Sequence, residues 1–457
     1  VYNIVLHGDR ECSICHTSTA TLSPYGKDTD AEACPICNGL YRLGEQIVDS
    51  RDTVFVLASP NTSDDSESIP KVEVYVNNLN SDADNLKLYL YVVPEASLQK
   101  FESSHEIFRI YSKNTAKTGH NVFNRIWLAD YVARKDNGQV YEFEELAASS
   151  GLGDDKGIKR LGVLRADVDN LGAAFIGGFI SEGSDKFKYG TLSRYADLSR
   201  DLAMFFKVAV NKMAQGDVQG FGTSVTPFTI WANKQVTTRK IHVIYSGGDD
   251  VFLVGAWDEL LELAIDIREK LAEVTDNKIT MSAGLALFSP SYPISQMAAI
   301  TGLLESVAKD NDGKDSIALF GFETNSNGEE RICRHVYKWE ELIDNVIEDK
   351  LYTLDQLFVI PGINEAQPSK LKLGKGLVYK LMDLLQGILN DRVQGKHINV
   401  ARILYLLARL EPKKHDPAYG SYKNFVTAIH TWIQTEADCK ALLTACNLIV
   451  YYMRETK

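Results

Sequence analysis

The sequence predicts an α+β fold with a ferredoxin-like core, a small four-cysteine module, a β-rich linking region and an all-α C-terminal domain. Three observations carry this prediction. Two CxxC pairs stand near the N-terminus, strand and helix patterns alternate through the middle of the chain, and helical spacing dominates the last third. Because 457 residues exceed one ordinary domain, we expect several domains.

The composition is that of a folded protein and disfavours two classes of function. Hydrophobic residues make up 45% of the chain, and the net charge of −12 argues against a protein that coats duplex nucleic acid over its whole surface. No apolar run reaches the roughly 18 residues of a membrane span, and no secretory leader pattern opens the sequence. We therefore expect a cytoplasmic protein without a membrane partner. The chain begins at Val1, which is compatible with a fragment of a longer protein.

Four parts are predicted along the chain: a zinc-binding module at 1–50, the β-rich linking region at 51–160, the core domain at 161–330 and the helical domain at 331–457. Short β-rich runs predict strands at 53–58, 71–76 and 86–93. The Ser/Asp-rich stretch 61–68 predicts a mobile loop, and 151–159 predicts the boundary before the core.

The cysteine module contains Cys12, Cys15, Cys34 and Cys37, in two CxxC pairs separated by eighteen residues. This spacing is typical of a four-thiolate zinc site. The alternative is a pair of disulfides, which a reducing compartment disfavours. We expect a structural Zn²⁺, because four thiolates leave no open coordination position. The remaining three cysteines are expected to pack in the core.

The middle of the chain predicts a β-α-β-β-α-β core. Its predicted elements are strand 161–166, helix 192–214, strands 241–245 and 251–255, helix 258–274, strand 279–288, helix 294–308 and strand 316–320. This order is ferredoxin-like, and we expect helices to cover one face of the sheet. Residues 331–457 are predicted helical throughout, from apolar spacing of three and four as in 377–389 and 400–410.

Two acidic tips follow apolar strands of this core. The first is Asp167-Val168-Asp169-Asn170-Leu171-Gly172, and the second is the hairpin turn Ser246-Gly247-Gly248-Asp249-Asp250. If the two strands are neighbours, Asp167 and Asp249 end side by side. Oxygen ligands there suit Mg²⁺ or Mn²⁺, with nucleotide phosphates completing the shell, and two such ions activate a 3′-hydroxyl and stabilise a leaving pyrophosphate.

Backbone groups at both tips are candidates for phosphate binding. The run 169–172 leads toward a helix and offers N–H groups to a triphosphate. The two glycines permit a tight turn and let a phosphate approach the backbone. Each tip alone is often only a polar loop, so a degenerate site that binds without turnover stays open as an alternative to a working metal–nucleotide site.

These residues resemble a known family. The GGDEF and adenylyl-cyclase palm is matched by five segments: 167–172, the turn 246–250, Met281–Ala286, Ala308-Lys309 and Gly313-Lys314-Asp315. The run Leu164–Gly172, the continuation Gly255–Asp258, the cysteine module and the helical C-terminal domain are similar to the large subunit of type III CRISPR effector complexes, in its III-A (Csm) branch. The resemblance covers nearly the whole chain.

The resemblance implies a nucleotidyltransferase that joins ATP into cyclic oligoadenylate when guide RNA has paired with a foreign transcript. By this resemblance Asp167 and Asp249 hold the Mg²⁺ or Mn²⁺, Asp250 and Asp169 assist, and the carbonyl of Val168 is a candidate ligand. The other implied nucleotide-binding residues are Asn170, Leu171, Gly172, Gly247, Gly248, Ser282, Lys309 and Lys314. The implied partners are other Csm-type subunits, guide RNA, target RNA and the substrate ATP.

The chain departs from this family pattern in three ways. The only His-Asp doublet, His415-Asp416, lies in a Pro-containing loop, so we do not predict the DNase activity of an HD domain. The family has a first palm ahead of the cysteine module, without which we expect ATP binding but poor cyclisation by the chain alone. Asp315 stands where the GGDEF pattern usually has Asn.

Charge along the chain supports a second hypothesis. Residues 331–457 carry a net charge of +4 against −16 for the preceding 330 residues, with ten basic and three acidic residues between Lys370 and Lys414. This surface is either a solvated helical face or a contact for RNA or an acidic subunit. The protein could therefore be a non-catalytic, zinc-stabilised scaffold that contacts guide RNA and partner subunits. A diguanylate cyclase is a third hypothesis, which the Csm-like context disfavours.

Overall fold

The computed structural model describes residues 11–17, 19, 21–26, 31–49, 53–60, 69, 71–74, 88–115, 123–151, 157–180, 188–216, 227–231, 238–324, 331–359, 369–372, 374–393 and 400–454. The chain divides into two compact units, Val1–Asp130 and Tyr131–Lys457. The predicted loop 61–68 and residues 152–156 of the predicted boundary lie outside the described residues. None of the helices within the described ranges is both long and apolar enough to cross a membrane.

The first unit contains the cysteine module and a five-stranded sheet. Its elements are β1 Ser23–Pro24, β2 Glu32–Ala33, α1 Pro35–Asp49, β3 Thr53–Pro60, β4 Lys71–Val74, β5 Leu88–Pro94, a 3₁₀ turn Glu95–Ser97, α2 Leu98–Glu102, β6 His105–Lys113 and β7 Phe123–Ile126. The strand order is β4-β5-β3-β6-β7. Buried Val54, Val56 and Ile110 pack with Leu98 and Phe101 of α2. The three strands predicted for this region are confirmed within the described residues.

The second unit begins with a helix of the predicted linking region, α3, and continues with the elements that form the predicted core. They are α3 Phe143–Ala148, β8 Leu161–Val168, α4 Leu171–Gly177, α5 Leu192–Met204, a π-helical segment Phe205–Ala209, α6 Val210–Ala214, β9 Ile241–Gly247, β10 Asp250–Ala256, α7 Trp257–Val274, β11 Met281–Phe288, α8 Ile294–Asp310 and β12 Ser316–Phe320. Each strand and helix predicted between 161 and 320 is present, with bounds that differ by a few residues.

The C-terminal part of this unit is mainly helical. After β13 Glu323–Thr324, β14 Arg331–Ile332 and β15 Val336–Lys338 come a π-helical segment Glu341–Leu351, α9 Tyr352–Leu357, β16 Phe358–Val359, β17 Leu371–Lys372, α10 Lys375–Val393, α11 Ala401–Leu410, α12 Tyr419–Trp432 and α13 Glu436–Met453. The helices predicted at 377–389 and 400–410 are confirmed. The expectation of helix throughout 331–457 is wrong at the short strands β14, β15, β16 and β17. Of these, β15 extends the six-stranded sheet by pairing antiparallel with β12, an arrangement in which Tyr337 is buried.

One six-stranded sheet organises the second unit, in the order β15-β12-β11-β8-β10-β9. The strand β8 lies between β10 and β11 and is antiparallel to both. Helices cover both faces of this sheet, not one as expected. A Cβ on Gly162 of β8 would lie 2.6 Å from Trp257 of α7, whereas a Cβ on Gly284, on the opposite face, would lie 2.6 Å from the backbone of α8. The expectation failed because α8 follows the β-α-β-β-α-β set and packs on the face that this set leaves open.

A buried ion network anchors α7 to the start of β9. Arg239 binds Glu262 at 2.9 Å and also pairs with Asp266, and all three side chains are almost completely buried. Burial raises the pKa of Asp266 to about 6 against the opposing charge of Arg239. Removing one partner of such a network typically costs about 3–5 kcal/mol, so this network fixes the hairpin of β9 and β10 firmly on α7.

Candidate functional site

The end of β8 and the hairpin turn meet side by side, as the sequence predicts. Asp167 of β8 stands opposite Asp250 of β10 on one side and opposite Ser282 of β11 on the other. Directly opposed residues share a face of a sheet. The backbone N–H of Val168 also donates to the carbonyl of Asp249 at 3.0 Å. We call Asp167, Asp249 and Asp250 the acidic edge.

The acidic edge concentrates negative charge. Burial raises the pKa of Asp250, and the charges of Asp249 and Asp167 raise it further, against a hydrogen bond from Tyr245 and the charge of Arg165. Like charges this close favour a bound cation. Among the described residues, however, only the four cysteines form a group of three or more metal-binding side chains whose ligand atoms lie within 4.8 Å of one another. The three carboxylates are neighbours but do not form so tight a group.

The two positions of the turn occupied by glycine favour that residue for different structural reasons. Gly248 has φ of +71°, in the left-handed region that glycine adopts readily. Gly247 is not left-handed; a Cβ there would lie 3.3 Å from Cε of Lys207. Lys207 belongs to the π-helical segment, which is fastened to the hairpin because Ser246 Oγ donates to the carbonyl of Phe206 at 2.6 Å. Sequence reasoning missed Lys207, since its approach depends on packing across 40 residues.

Lys309 contacts the acidic edge from α8. Its Nζ pairs with Asp167 and lies 2.9 Å from Glu305 Oε1. Burial alone would lower the pKa of Lys309, but hydrogen bonds with Asp167 and Glu305 outweigh burial and raise it. Glu305 also lies 3.1 Å from Nε of Arg165. The sequence identified Lys309 but missed Glu305, although its i,i+4 spacing before Lys309 on a helix was a usable signal.

Asp169 and Asn170 follow Asp167 and Val168 along the chain and contact the loop between α8 and β12. Asp169 is almost fully buried, and its Oδ2 accepts hydrogen bonds from the Asp315 N–H at 3.0 Å and from Thr280 Oγ1 at 2.9 Å. Asn170 has a left-handed backbone, with φ of +53°, and its Oδ1 accepts from Lys314 Nζ at 2.7 Å. The predicted residues Asp169 and Asn170 thus both contact the loop that carries Lys314.

The remaining predicted residues differ in exposure. Leu171 and Gly172 begin α4, where Gly172 is exposed and has nothing within 4 Å of its Cβ position. Ser282 is fully buried, and its Oγ accepts from the Ser316 N–H at 3.4 Å. Ser282 therefore holds β11 and β12 together and does not face solvent.

The four cysteines of the N-terminal module converge as predicted. Cys15 Sγ and Cys34 Sγ are 3.9 Å apart, close to the roughly 3.8 Å expected between sulfurs of a tetrahedral site with metal–sulfur bonds of about 2.3 Å. All seven cysteines are free thiols. Burial would raise the pKa of Cys12, but backbone N–H groups of the module lower it to about 6, whereas burial and neighbouring sulfurs raise that of Cys37 to about 12. Four crowded sulfurs of this kind suit a thiophilic cation.

Two family models match the second unit. Residues 160–318 match the second palm domain of Cas10/Cmr2, and residues 363–455 match the second helical domain of the Cmr2 subunit of the CRISPR RNA silencing complex. The first match contains the acidic edge, and the second contains α10 to α13.

Curated relatives match nearly the whole chain. The CRISPR system single-strand-specific deoxyribonuclease Cas10/Csm1 (subtype III-A) of Mycobacterium tuberculosis is 34% identical over 448 residues, which cover 98% of this chain and 47% of that protein. The protein of the same name from Streptococcus thermophilus is 32% identical over 452 residues, covering 98% of this chain and 48% of that protein. The chain thus spans about half the length of the curated relatives that it matches.

Solved structures are similar in fold. A Csm1–Csm4 cassette in complex with one ATP is 25% identical, with a TM-score of 0.55 over 86% of this chain and 50% of that chain. Csm1 from T. onnurineus is 25% identical, with a TM-score of 0.54 over 80% of this chain and 47% of that chain. From the palm-domain match, the near-complete alignment with curated relatives and the shared fold, this chain is homologous over nearly its whole length to Cas10/Csm1 proteins of type III-A CRISPR systems.

Proposed function

We propose that this chain binds ATP and divalent cations at the acidic edge and joins ATP into cyclic oligoadenylate as part of a type III-A effector complex. The observation that carries the proposal is the register that sets Asp250 opposite Asp167, with Asp249 beside them and Lys309 on Asp167. A similar structure is described as a Csm1–Csm4 cassette in complex with one ATP, which supports ATP as the nucleotide.

The acidic edge fits Mg²⁺ or Mn²⁺ by its chemistry. Its donors are hard carboxylate oxygens. Burial raises the pKa of Asp250 most, and the charges of Asp249 and Asp167, which a cation would offset, raise it further. Asp167, Asp249 and Asp250 would hold the ions, with the carbonyl of Val168 as a further candidate ligand. When bound, such ions activate the 3′-hydroxyl and neutralise the leaving pyrophosphate.

The chain's own side chains would bind and orient the triphosphate. The ammonium group of Lys309 lies between Asp167 and Glu305, and a lysine there is a point charge suited to a phosphate oxygen. We assign the same role to Lys314, held at Asn170. Backbone at 170–172 and at Gly247-Gly248 would approach the phosphates. Asp169 and Ser282 would support the site from behind, because both are buried and hydrogen-bonded to neighbouring loops.

The proposal extends to the rest of the chain. We assign the strand set β11-β8-β10-β9 to the ferredoxin-like class, because its order is the fourth, first, third and second strand of a β-α-β-β-α-β unit. The four cysteines would hold a structural Zn²⁺. The partners would be other Csm subunits, among them the Csm4 of the similar cassette, together with guide and target RNA. The four-part domain division stays a prediction.

Product formation by the assembled complex tests the proposal. The complex, loaded with guide RNA and given target RNA, ATP and Mn²⁺, is expected to form cyclic oligoadenylate, and Asp249→Ala with Asp250→Ala is expected to abolish it while the complex still assembles. Offering GTP in place of ATP tests the diguanylate cyclase hypothesis. Unchanged product from the double variant would refute the site assignment.

The scaffold hypothesis has its own supporting observation. The acidic edge does not form a tight ligand group among the described residues, whereas the cysteines do. A scaffold predicts that the double variant and the wild type assemble equally and that neither makes product. Product from the wild type alone therefore separates the enzyme from the scaffold.

A further inference from the structure

The loop between α8 and β12, residues 311–315, has a strained backbone. Gly313, Lys314 and Asp315 are successive residues in the left-handed region, with φ of +71°, +55° and +47°. Glycine adopts this region readily, but Lys and Asp carry a steric penalty there. Contacts from outside the loop must therefore hold Lys314 and Asp315 in this conformation.

Arg268 of α7 supplies such a contact. Its Nη2 lies 2.7 Å from Asp315 Oδ2 and its Nε lies 3.3 Å from Oδ1, which is the two-pronged geometry of a strong guanidinium–carboxylate pair. The two side chains are only 14% and 19% exposed, so salt screens the pair weakly. The pair lines a polar cavity of about 330 Å³ together with Thr280 and Glu340, whose carboxylate is 3.8 Å from Arg268.

The loop in turn holds the segment that follows β8. The Asp315 N–H donates to Asp169 Oδ2 at 3.0 Å, and Lys314 Nζ donates to Asn170 Oδ1 at 2.7 Å. Asp169 is fixed from the other side as well, because its N–H donates to the Thr280 carbonyl at 2.8 Å. Two successive loop residues thus hold two successive turn residues, directly after Asp167 and Val168.

We propose that Arg268 is a positioning residue whose pair with Asp315 locks loop 311–315 onto Asp169 and Asn170, so that Lys314 and the end of β8 are arranged for the triphosphate before it binds. We call this arrangement the latch; it rests on the proposed function. It also explains the aspartate at 315, where the GGDEF pattern usually has Asn, since a neutral amide would leave the Arg268 charge without its close partner.

Steady-state kinetics of the assembled, RNA-loaded complex tests the latch. Arg268→Ala is expected to raise the KM for ATP about tenfold, because charge-assisted hydrogen bonds contribute that much. The kcat is expected to change less, because bound triphosphate can restore the loop through Lys314. Arg268→Lys is expected to rescue only in part, since an ammonium cannot form the two-pronged pair.

A double variant separates positioning from general damage. Arg268→Ala leaves the Asp315 carboxylate poorly exposed and uncompensated, so adding Asp315→Asn is expected to recover part of the lost affinity. Asn also tolerates the left-handed region. Arg334→Ala is the control for removing an arginine ion pair of the same unit, because Arg334 pairs with Glu323 at 2.9 Å through a single, more exposed contact whose partners are not residues of loop 311–315 or the acidic edge.

Hydrogen exchange gives a readout that does not depend on turnover. The amides of 311–316 and 167–172 are expected to exchange faster in Arg268→Ala than in the wild type or the Arg334 control. If the wild-type complex makes no cyclic oligoadenylate, the proposed function fails, and exchange still tests the latch. Unchanged KM and unchanged exchange in Arg268→Ala would overturn the latch. Should Arg268→Ala fail to assemble, unchanged exchange in Arg268→Lys and Asp315→Asn would overturn it equally.

Discussion

The closeness of α8 to β11 decides whether Lys309 reaches Asp167, and Gly284 makes that closeness possible. A Cβ at 284 would lie 2.6 Å from the backbone nitrogen of Glu305 and equally close to the Thr301 carbonyl. Both are backbone atoms of the helix, so no side-chain rotation can relieve the contact. Gly284→Ala is therefore expected to push α8 away from the sheet.

The size of the displacement follows from these distances. Ordinary contact begins at 3.4 Å, so α8 must move by about 0.8 Å to relieve a contact of 2.6 Å. Overpacking of this kind costs about 1–3 kcal/mol of folding stability. Because Lys309 and Glu305 move with the helix while Asp167 stays on the sheet, the ion pair lengthens by a similar distance. Misplacement of about 1 Å near a reacting group can lower the rate by up to about 100-fold.

Gly302 offers the matched control on the same helix. A Cβ there would meet Nη1 of Arg165 at 3.1 Å, the far end of a flexible side chain. Gly302→Ala is therefore expected to stabilise α8 by up to about 1 kcal/mol through helix propensity. Urea unfolding and cyclic oligoadenylate formation by the assembled complex, measured on both variants, check the prediction. Equal stability and equal activity of the two variants would refute the packing argument.

Three further predictions concern other parts of the molecule. Lys309→Ala is expected to lower product formation about 10–100-fold by leaving Asp167 and Glu305 without their shared cation, with Lys309→Arg milder; equal rates for Lys309→Ala and wild type would contradict this role. Burial, and after it the charges of Lys440 and Arg334, lower the pKa of His335 in the folded protein to about 4, below the roughly 6.5 of an unfolded histidine. As pH falls from 7 to 5 the unfolded chain therefore takes up a proton at His335 that the folded protein does not, and about 2 kcal/mol of stability is lost. Urea unfolding at both pH values should show this loss in the wild type and a smaller one in His335→Gln, and parallel losses would argue against it. Cys34→Ser is expected to remove about one bound zinc per chain by metal analysis, whereas Cys446→Ser, a buried thiol of α13, should leave the zinc content unchanged; equal zinc in both would rule out the four-cysteine site.

The acidic edge could be predicted because its pattern is local. An apolar strand ending in Asp167 and a glycine turn carrying Asp249 and Asp250 are each readable within ten residues, and strand pairing brings them together. The cysteine spacing is local in the same sense. Both predictions needed only strand ends and turns, which short sequence patterns specify well.

The supporting contacts could not be predicted, because they depend on the depth of packing between distant segments. Arg268 lies 47 residues from Asp315, and only the packing of α7 against the loop brings them together. Lys207 lies in a π-helical segment, and its position beside the turn depends on that segment. The extra residue in a π-helical turn cannot be recognised from the apolar spacing of an α-helix. The strand β15 was missed because three residues give too short a pattern to outweigh the helical signal around them.

The central claim is that the acidic edge binds divalent cations beneath a triphosphate. Anomalous diffraction tests this most directly, from crystals of the assembled complex that contains this chain, soaked with ATP and Mn²⁺. We expect manganese peaks next to Asp167 and the Asp249-Asp250 turn, with phosphate density reaching Lys309. Manganese bound elsewhere, or ATP bound without any peak near these aspartates, would contradict that claim.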